Sequence, residues 1–239
     1  MLRMARRTLQ MGTVCLALSL LAGCAIRPST VRAEQPTIMV KSVRLPVRDW
    51  LPWFARFAEH TWIDFHYAGT WHRVEWDNLD HIRMLEMSAT EAFEDQRWER
   101  DVAVHEQFAG EWTTPIMAKI LKVAESYEYA KGYLPWPGPN SNTFMDWLAH
   151  EVGLPIVLPP AAVGKDYTTW LRPGLTATHT GIELETMLLG AEIGLCEGIE
   201  LHVLGLTAGI GIWPPAIKLP FLPAIPGGWF GPASDEPEW

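Results

Sequence analysis

Residues 136–144 read Trp-Pro-Gly-Pro-Asn-Ser-Asn-Thr-Phe. The prolines lock φ and remove donors, and the glycine admits backbone forbidden to other residues, so the first half is a rigid turn. The second half opens a helix. Phe144, Trp147, Leu148 and Val152 recur on one helical face, and Gly153 with Pro155 stop it. Asn140 or Ser141 is the expected N-cap. Ser141 thereby stands at a helix N-terminus, where backbone N–H groups and the helix dipole stabilise developing negative charge.

Upstream of this stretch the period is mostly that of strands. Thr37 to Val47 is strand-like, and segments 60–67 and 70–76 flank Ala68-Gly69 as a hairpin. Residues 98–108 supply another strand, while the acid-rich stretch from Glu91 to Asp101 reads as a solvated edge. Thr114-Pro115 starts a first helix with Ile116, Ile120, Val123 and Tyr127 on one face. Downstream, residues 180–213 are apolar segments broken by glycines without a fixed period; the best strand is Ile199 to Leu206. Strands, then two packed helices, then strands make an α+β domain with antiparallel pairing, over residues 37–222. Residues 223–239 form a Pro-rich tail.

The N-terminus gives an address. Arg3, Arg6 and Arg7 precede an apolar stretch that ends Leu21-Ala22-Gly23-Cys24. A basic start, a short apolar segment and small residues before a break describe a secretory signal peptide. The tetrad resembles the bacterial lipoprotein signal, which implies cleavage after residue 23, a lipid on the Cys24 thiol and a tether over residues 24–36. With Ala25 next, that resemblance implies the periplasmic face of the outer membrane in a diderm cell. The alternative is an uncleaved anchor, since the uncharged run 8–26 is just long enough to span a bilayer. Both attach the domain to a membrane on its exported side.

Removal of residues 1–23 takes three arginines and no acid, so the formal charge of −9 becomes −12. Such a surface excludes nucleic acid as an expected partner. Cleavage also removes Cys15, and lipidation uses Cys24, leaving Cys196 with no cysteine partner in the mature chain.

Two places concentrate reactive side chains: the hairpin, with His60, His66 and His72, and the helix start at Asn140-Ser141-Asn142. A serine activated by a neighbouring imidazole is the elementary pattern of nucleophilic catalysis. The order His60, His72, Asn140-Ser141-x-x-Phe144 resembles the permuted papain-like hydrolases and acyltransferases of the NlpC/P60 group, the lecithin-retinol-acyltransferase-like branch. There the helix opens Asn-Cys-x-x-Phe; here Ser141 replaces the cysteine. That resemblance implies Ser141 as nucleophile, His60 as base and His72 as its partner or substitute.

A broader resemblance covers most of the mature chain. His60-Thr61-Trp62-Ile63, Trp136 to Phe144, Gly164 to Tyr167, Gly205 to Gly209 and Pro215 to Pro220 resemble a bacterial family numbered 3750 among domains of unknown function. It implies no activity, and it counts Ser141 as part of the family pattern. Asn140, Asn142, Trp62 and Trp136 are the expected binding residues around a groove for peptide, glycan or lipid.

The hairpin supplies a geometric test. A two-residue turn at Ala68-Gly69 pairs Tyr67 with Thr70 and sends His60 and His72 to opposite faces, because side chains alternate. A three-residue loop puts all three histidines on one face, which catalysis with His72 or a three-histidine zinc site requires. No metal and no cofactor are expected, and Lys165-Asp166 reads as a surface pair or turn lock. The functional expectation is a membrane-anchored envelope lipoprotein, either a Ser/His hydrolase or acyltransferase, or a non-catalytic binding or structural module.

Overall fold

The computed structural model describes residues 35–46, 56–77, 81–95, 97–98, 102–213, 215–222 and 224–225. The expected signal peptide, Cys24, most of the expected tether and nearly all of the expected tail lie outside the described residues.

The first sheet is antiparallel and holds β1 (Thr37–Arg44), β2 (Glu59–Tyr67), β3 (Thr70–Glu75), β4 (Arg83–Met87) and β5 (Ala103–Ala109), in the order β4-β3-β2-β1-β5. Its hairpin closes in two residues. Tyr67 pairs with Thr70, and Ala68 and Gly69 both take positive φ, at 52° and 83°. That is the primed turn whose twist matches the flanking strands.

One face of this sheet carries Ile38, Val40, Ile63, Phe65 and Val74 into the main core. Against it pack α2 (Thr114–Val123) and α3 (Ser141–Val152), which contribute Met117, Ile120, Phe144, Met145 and Leu148. The opposite face is covered by α1 (Ala89–Glu94), capped by Ser88, in the stretch expected to be a solvated edge. Beneath it lies a buried ion network. Arg73 donates to both oxygens of Asp64 at 2.6 and 2.7 Å and to Asp95 at 2.6 Å, and Lys41 meets Asp64 at 2.9 Å.

The second sheet is a six-stranded antiparallel meander: β6 (Arg172–Leu175), β7 (Gly181–Glu185), β8 (Leu189–Gly194), β9 (Gly198–Val203), β10 (Leu206–Gly211) and β11 (Ala216–Lys218). The strand expected over Ile199 to Leu206 is two strands joined by a turn at Leu204-Gly205, both at positive φ. This sheet is polar inside and apolar outside. One cross-strand row reads Leu175, Ile182, Ile193, Ile199, Ile210, Ile217, and all six are 42–63% exposed. The intervening positions, Glu183, Glu185, Glu192, Glu200, His202, Thr207 and Lys218, are buried. Ion pairs from β6 and β7 to the α3 side chains Asp146 and His150 tie the two halves: Arg172 to Asp146 at 2.9 Å and His150 to Glu183 at 3.2 Å.

Cys196, in the turn between β8 and β9, is disulfide-bonded in the full-length chain, contrary to the expectation that it has no partner. The bond and a lipid on Cys24 draw on the same small set of cysteines, the other two being Cys15 and Cys24.

Candidate functional site

Ser141 opens α3 and is almost completely buried. Asn140 is the N-cap: its side chain accepts from the backbone N–H of Asn142 at 2.9 Å and of Thr143 at 3.2 Å. Its amide donates back to the carbonyls of Pro135 at 3.1 Å and Val163 at 3.0 Å. Asn142 reaches further. Its amide donates to the carbonyls of Glu59 at 2.9 Å and Val163 at 2.8 Å, and its oxygen accepts from the Thr61 hydroxyl at 2.8 Å. Thr143 donates to the carbonyl of Gly164 at 2.6 Å. The Asn-Ser-Asn-Thr run therefore ties the helix start to β2 and to the loop carrying Gly164-Lys165-Asp166. Ser141 lies against the Tyr133 phenol, whose pKa burial raises while the Ser141 hydroxyl and backbone N–H act to lower it. Gly138 and Gly164 both have positive φ in this loop pair, and a Cβ on Gly164 would collide with the Asn140 amide.

The expected dyad is not assembled. Thr61 faces α3, so its neighbour His60 points to the other face of the sheet. There it stacks on Trp62 and lies near Trp98, each at 5.6 Å between centroids, with Nε2 3.6 Å from Glu75. Burial opposes ionisation of Glu75, but the Arg97 guanidinium, donating at 2.7 Å, and the nearby His60 imidazole outweigh it and hold its pKa at about 2. Trp62 is wholly buried beneath the Arg73 guanidinium, 5.4 Å from its ring, and so presents no binding surface. His72 shares the helix-side face but pairs with Phe65 and stacks on its ring at 5.2 Å. The two-residue turn separates His60 from His72, as the alternation argument requires, and with them any three-histidine site. Of the expected binding residues, Trp136 alone is exposed, while Asn140 and Asn142 are buried braces.

A different serine does meet an imidazole. The register of β1 on β5 slips between Val40 and Lys41, so His105 is the extra residue of a bulge. Its Nε2 lies 2.6 Å from the Ser42 hydroxyl and 3.1 Å from Glu59, and Ser42 donates to the same Glu59 oxygen at 2.7 Å. A catalytic base needs a free lone pair toward the hydroxyl and the carboxylate on its other nitrogen. Here the carboxylate sits at the nitrogen facing Ser42 and draws both protons, and Ser42 is 1% exposed. This triangle is a polar lock.

The densest chemistry is on the inner face of the second sheet. Lys165 and Asp166, expected at the surface, are buried there. Lys165 meets Asp166 at 2.7 Å, Glu200 at 3.1 Å and Glu192 at 3.8 Å. His202 meets Glu185 through Nδ1 at 2.8 Å, and Glu200 and Asp166 through Nε2 at 3.2 and 3.4 Å. Lys218 closes the group on Glu200. Burial pushes Glu192 up to about 8, with Asp166 and Glu200 adding to it, and pushes Glu185 up to about 6. Burial alone would lower His202, but Asp166, Glu185 and Glu200 raise it to about 10.

The sequence held a signal for this cluster. Gly-Ile-Glu-Leu-Glu at 181–185 and Gly-Ile-Glu-Leu-His at 198–202 alternate strictly, with acids and imidazole on one parity.

The profile of the family described as Protein of unknown function (DUF3750) matches residues 41–167, which run from β1 through the Lys165-Asp166 loop. No curated protein and no solved structure matches the chain.

Proposed function

With more than half of its residues matched, the chain belongs to the DUF3750 family, and on that premise we propose that it is an exported envelope lipoprotein, tethered through Cys24, that binds the bilayer surface through the outer face of its second sheet. The observation that carries this is the exposed row from Leu175 to Ile217, flanked by exposed Leu184, Leu189, Leu201 and Val203. Contiguous apolar surface on this scale marks an interaction site. Exposed Trp170 and Trp213 supply the amphipathic rings favoured at a membrane interface.

The bilayer is the occupant that fits the tether. Thirteen residues from Cys24 to Pro36 reach at most about 45 Å, so the anchored domain stays beside the lipid. Strands of three to six residues are too short to span, and an open sheet cannot sit in hydrocarbon with unpaired edges, so the sheet lies flat. Each half-exposed Ile or Leu contributes about 1 kcal/mol on burial. The acidic body repels anionic lipid, so apolar area is the driving term. Among the described residues no helix is long and apolar enough to cross a membrane.

The test is vesicle flotation of residues 25–239, which lack the lipid, with neutral phosphatidylcholine–phosphatidylethanolamine vesicles. The expected result is flotation that survives high salt and is lost in the Ile193→Asp/Leu201→Asp variant with unchanged circular dichroism. Failure of the parent protein to float, or a stable dimer that the substitutions dissociate, would overturn the proposal.

A hydrolase or acyltransferase with a permuted papain-like groove is the second reading, supported by Ser141 at the α3 N-terminus. It needs a base other than His60 or His72. A fluorophosphonate probe that labels the parent protein but not Ser141→Ala would establish it.

A further inference from the structure

The inner face of the second sheet, with the loop against it, brings four metal-ligating side chains into one place. In the row Glu185, Gly190, His202, Thr207, an acid and an imidazole flank a glycine. In the next row, Glu183, Glu192 and Glu200 stand side by side. Asp166 enters from the loop that the Asn-Ser-Asn-Thr run holds in place. One ligand atom each from Asp166, Glu185, Glu192 and His202 lie within 4.8 Å of one another, and all four residues are buried. We propose that these four residues bind a divalent first-row transition-metal ion.

Two further observations point to a ligand there. Glu185 is fully buried, and its Oε2 has no hydrogen-bond partner. Glu192, also buried, lies 3.8 Å from the Lys165 ammonium, beyond hydrogen-bond reach. A buried carboxylate oxygen without a partner is costly and rare. Gly190 keeps the space open, because a Cβ there would overlap the Glu185 carboxylate.

Formal charge agrees. Asp166, Glu185, Glu192 and Glu200 face Lys165 and Lys218, with His202 among them. With a neutral imidazole ligand, a divalent ion on this set leaves no net charge in the buried space. Three carboxylates and one imidazole suit Mn²⁺, Fe²⁺ or Zn²⁺ better than the all-oxygen shells of Ca²⁺. The outer contacts of such a centre are present. Whichever nitrogen of His202 coordinates, the other has a carboxylate beside it, Glu185 at Nδ1 or Glu200 at Nε2. Asp166 accepts from Lys165 at 2.7 Å and from the Thr207 hydroxyl at 3.3 Å. In the neighbouring network of Asp146, His150, Arg172 and Glu183 the polar atoms face one another in ion pairs at 2.9–3.6 Å, although His150 Nε2, Arg172 Nε and Glu183 Oε2 make no hydrogen bond there.

The full-length protein in detergent, stripped with chelator and re-loaded separately with Zn²⁺ and Mn²⁺, provides the test. Desalting and elemental analysis are expected to show about one retained ion per chain. Titration calorimetry should give at least a tenfold weaker constant for Glu192→Gln and for His202→Gln, and an unchanged one for Glu91→Gln on the distant α1 cap. Circular dichroism and melting of the metal-free variants check that they fold. No stoichiometric retention of either ion by the parent protein overturns the site. So does retention that the two folded ligand variants leave unchanged.

Discussion

Replacing Asn142 with Ala removes three buried hydrogen bonds at once: to the carbonyls of Glu59 and Val163, and from the Thr61 hydroxyl. The Val163 carbonyl keeps the Asn140 amide, so it is not orphaned. The Thr61 hydroxyl loses its acceptor inside the fold. Net losses near 1 kcal/mol per bond, increased where a buried group is left unpaired, give about 3 kcal/mol. For a domain of this size that lowers the melting temperature by about 6–12 °C. Ser141→Ala loses only the hydroxyl contact to Tyr133 and should cost about 1 kcal/mol. Urea unfolding followed by tryptophan fluorescence measures both, because Trp62 and Trp76 are fully buried and change environment on unfolding. A cost below about 1 kcal/mol for Asn142→Ala, or a larger one for Ser141→Ala, would refute the assignment of this motif as a brace.

Other outcomes follow from the same structure. Gly190→Ala drives a methyl into the Glu185 carboxylate and should destabilise by about 1–3 kcal/mol, seen as a lower urea midpoint at unchanged slope. In the metal-free protein, stability should fall with rising pH. His150 and His202 are raised to about 10, so their contribution is complete below about 6.5 and lost as pH rises toward 10; Glu192, raised to about 8, acts in the same direction between about 4.5 and 8. A urea midpoint higher at pH 9 than at pH 6 contradicts this. At the N-terminus, intact mass after expression in a diderm host should show loss of residues 1–23 and addition of diacylglycerol at Cys24. An unlipidated chain yielding a Cys24–Cys196 peptide under non-reducing digestion contradicts the anchor.

The hairpin, β1 and α3 were legible because each rests on local signals: alternation, a two-residue turn and a cap. The helix from Thr114 and the strand ending at Ala109 fall within a few residues of their expected places. What the residues alone left open was parity. His60 and Thr61 differ by one position: the Thr61–Asn142 bond shows which of them faces α3, and the two-residue turn, with both residues at positive φ, decides that His72 lies on the face opposite His60. The second sheet failed differently. Its alternation was present, but apolar residues are ordinarily assigned to the inside, and here the acids are inside. Lys165-Asp166 looked like a surface pair for the same reason. Its burial depends on partners from β8 and β9, more than twenty residues away in sequence.

A photoactivatable diazirine phospholipid in neutral vesicles tests the central claim most directly, because it marks the residues that touch lipid. After irradiation of the lipid-free domain with vesicles and peptide mapping, adducts should concentrate on Ile182, Ile193, Ile199 and Ile210. None should appear on the buried Glu183 or Glu192. Adducts absent from β7–β10, or confined to residues before Thr37, would contradict binding through this sheet.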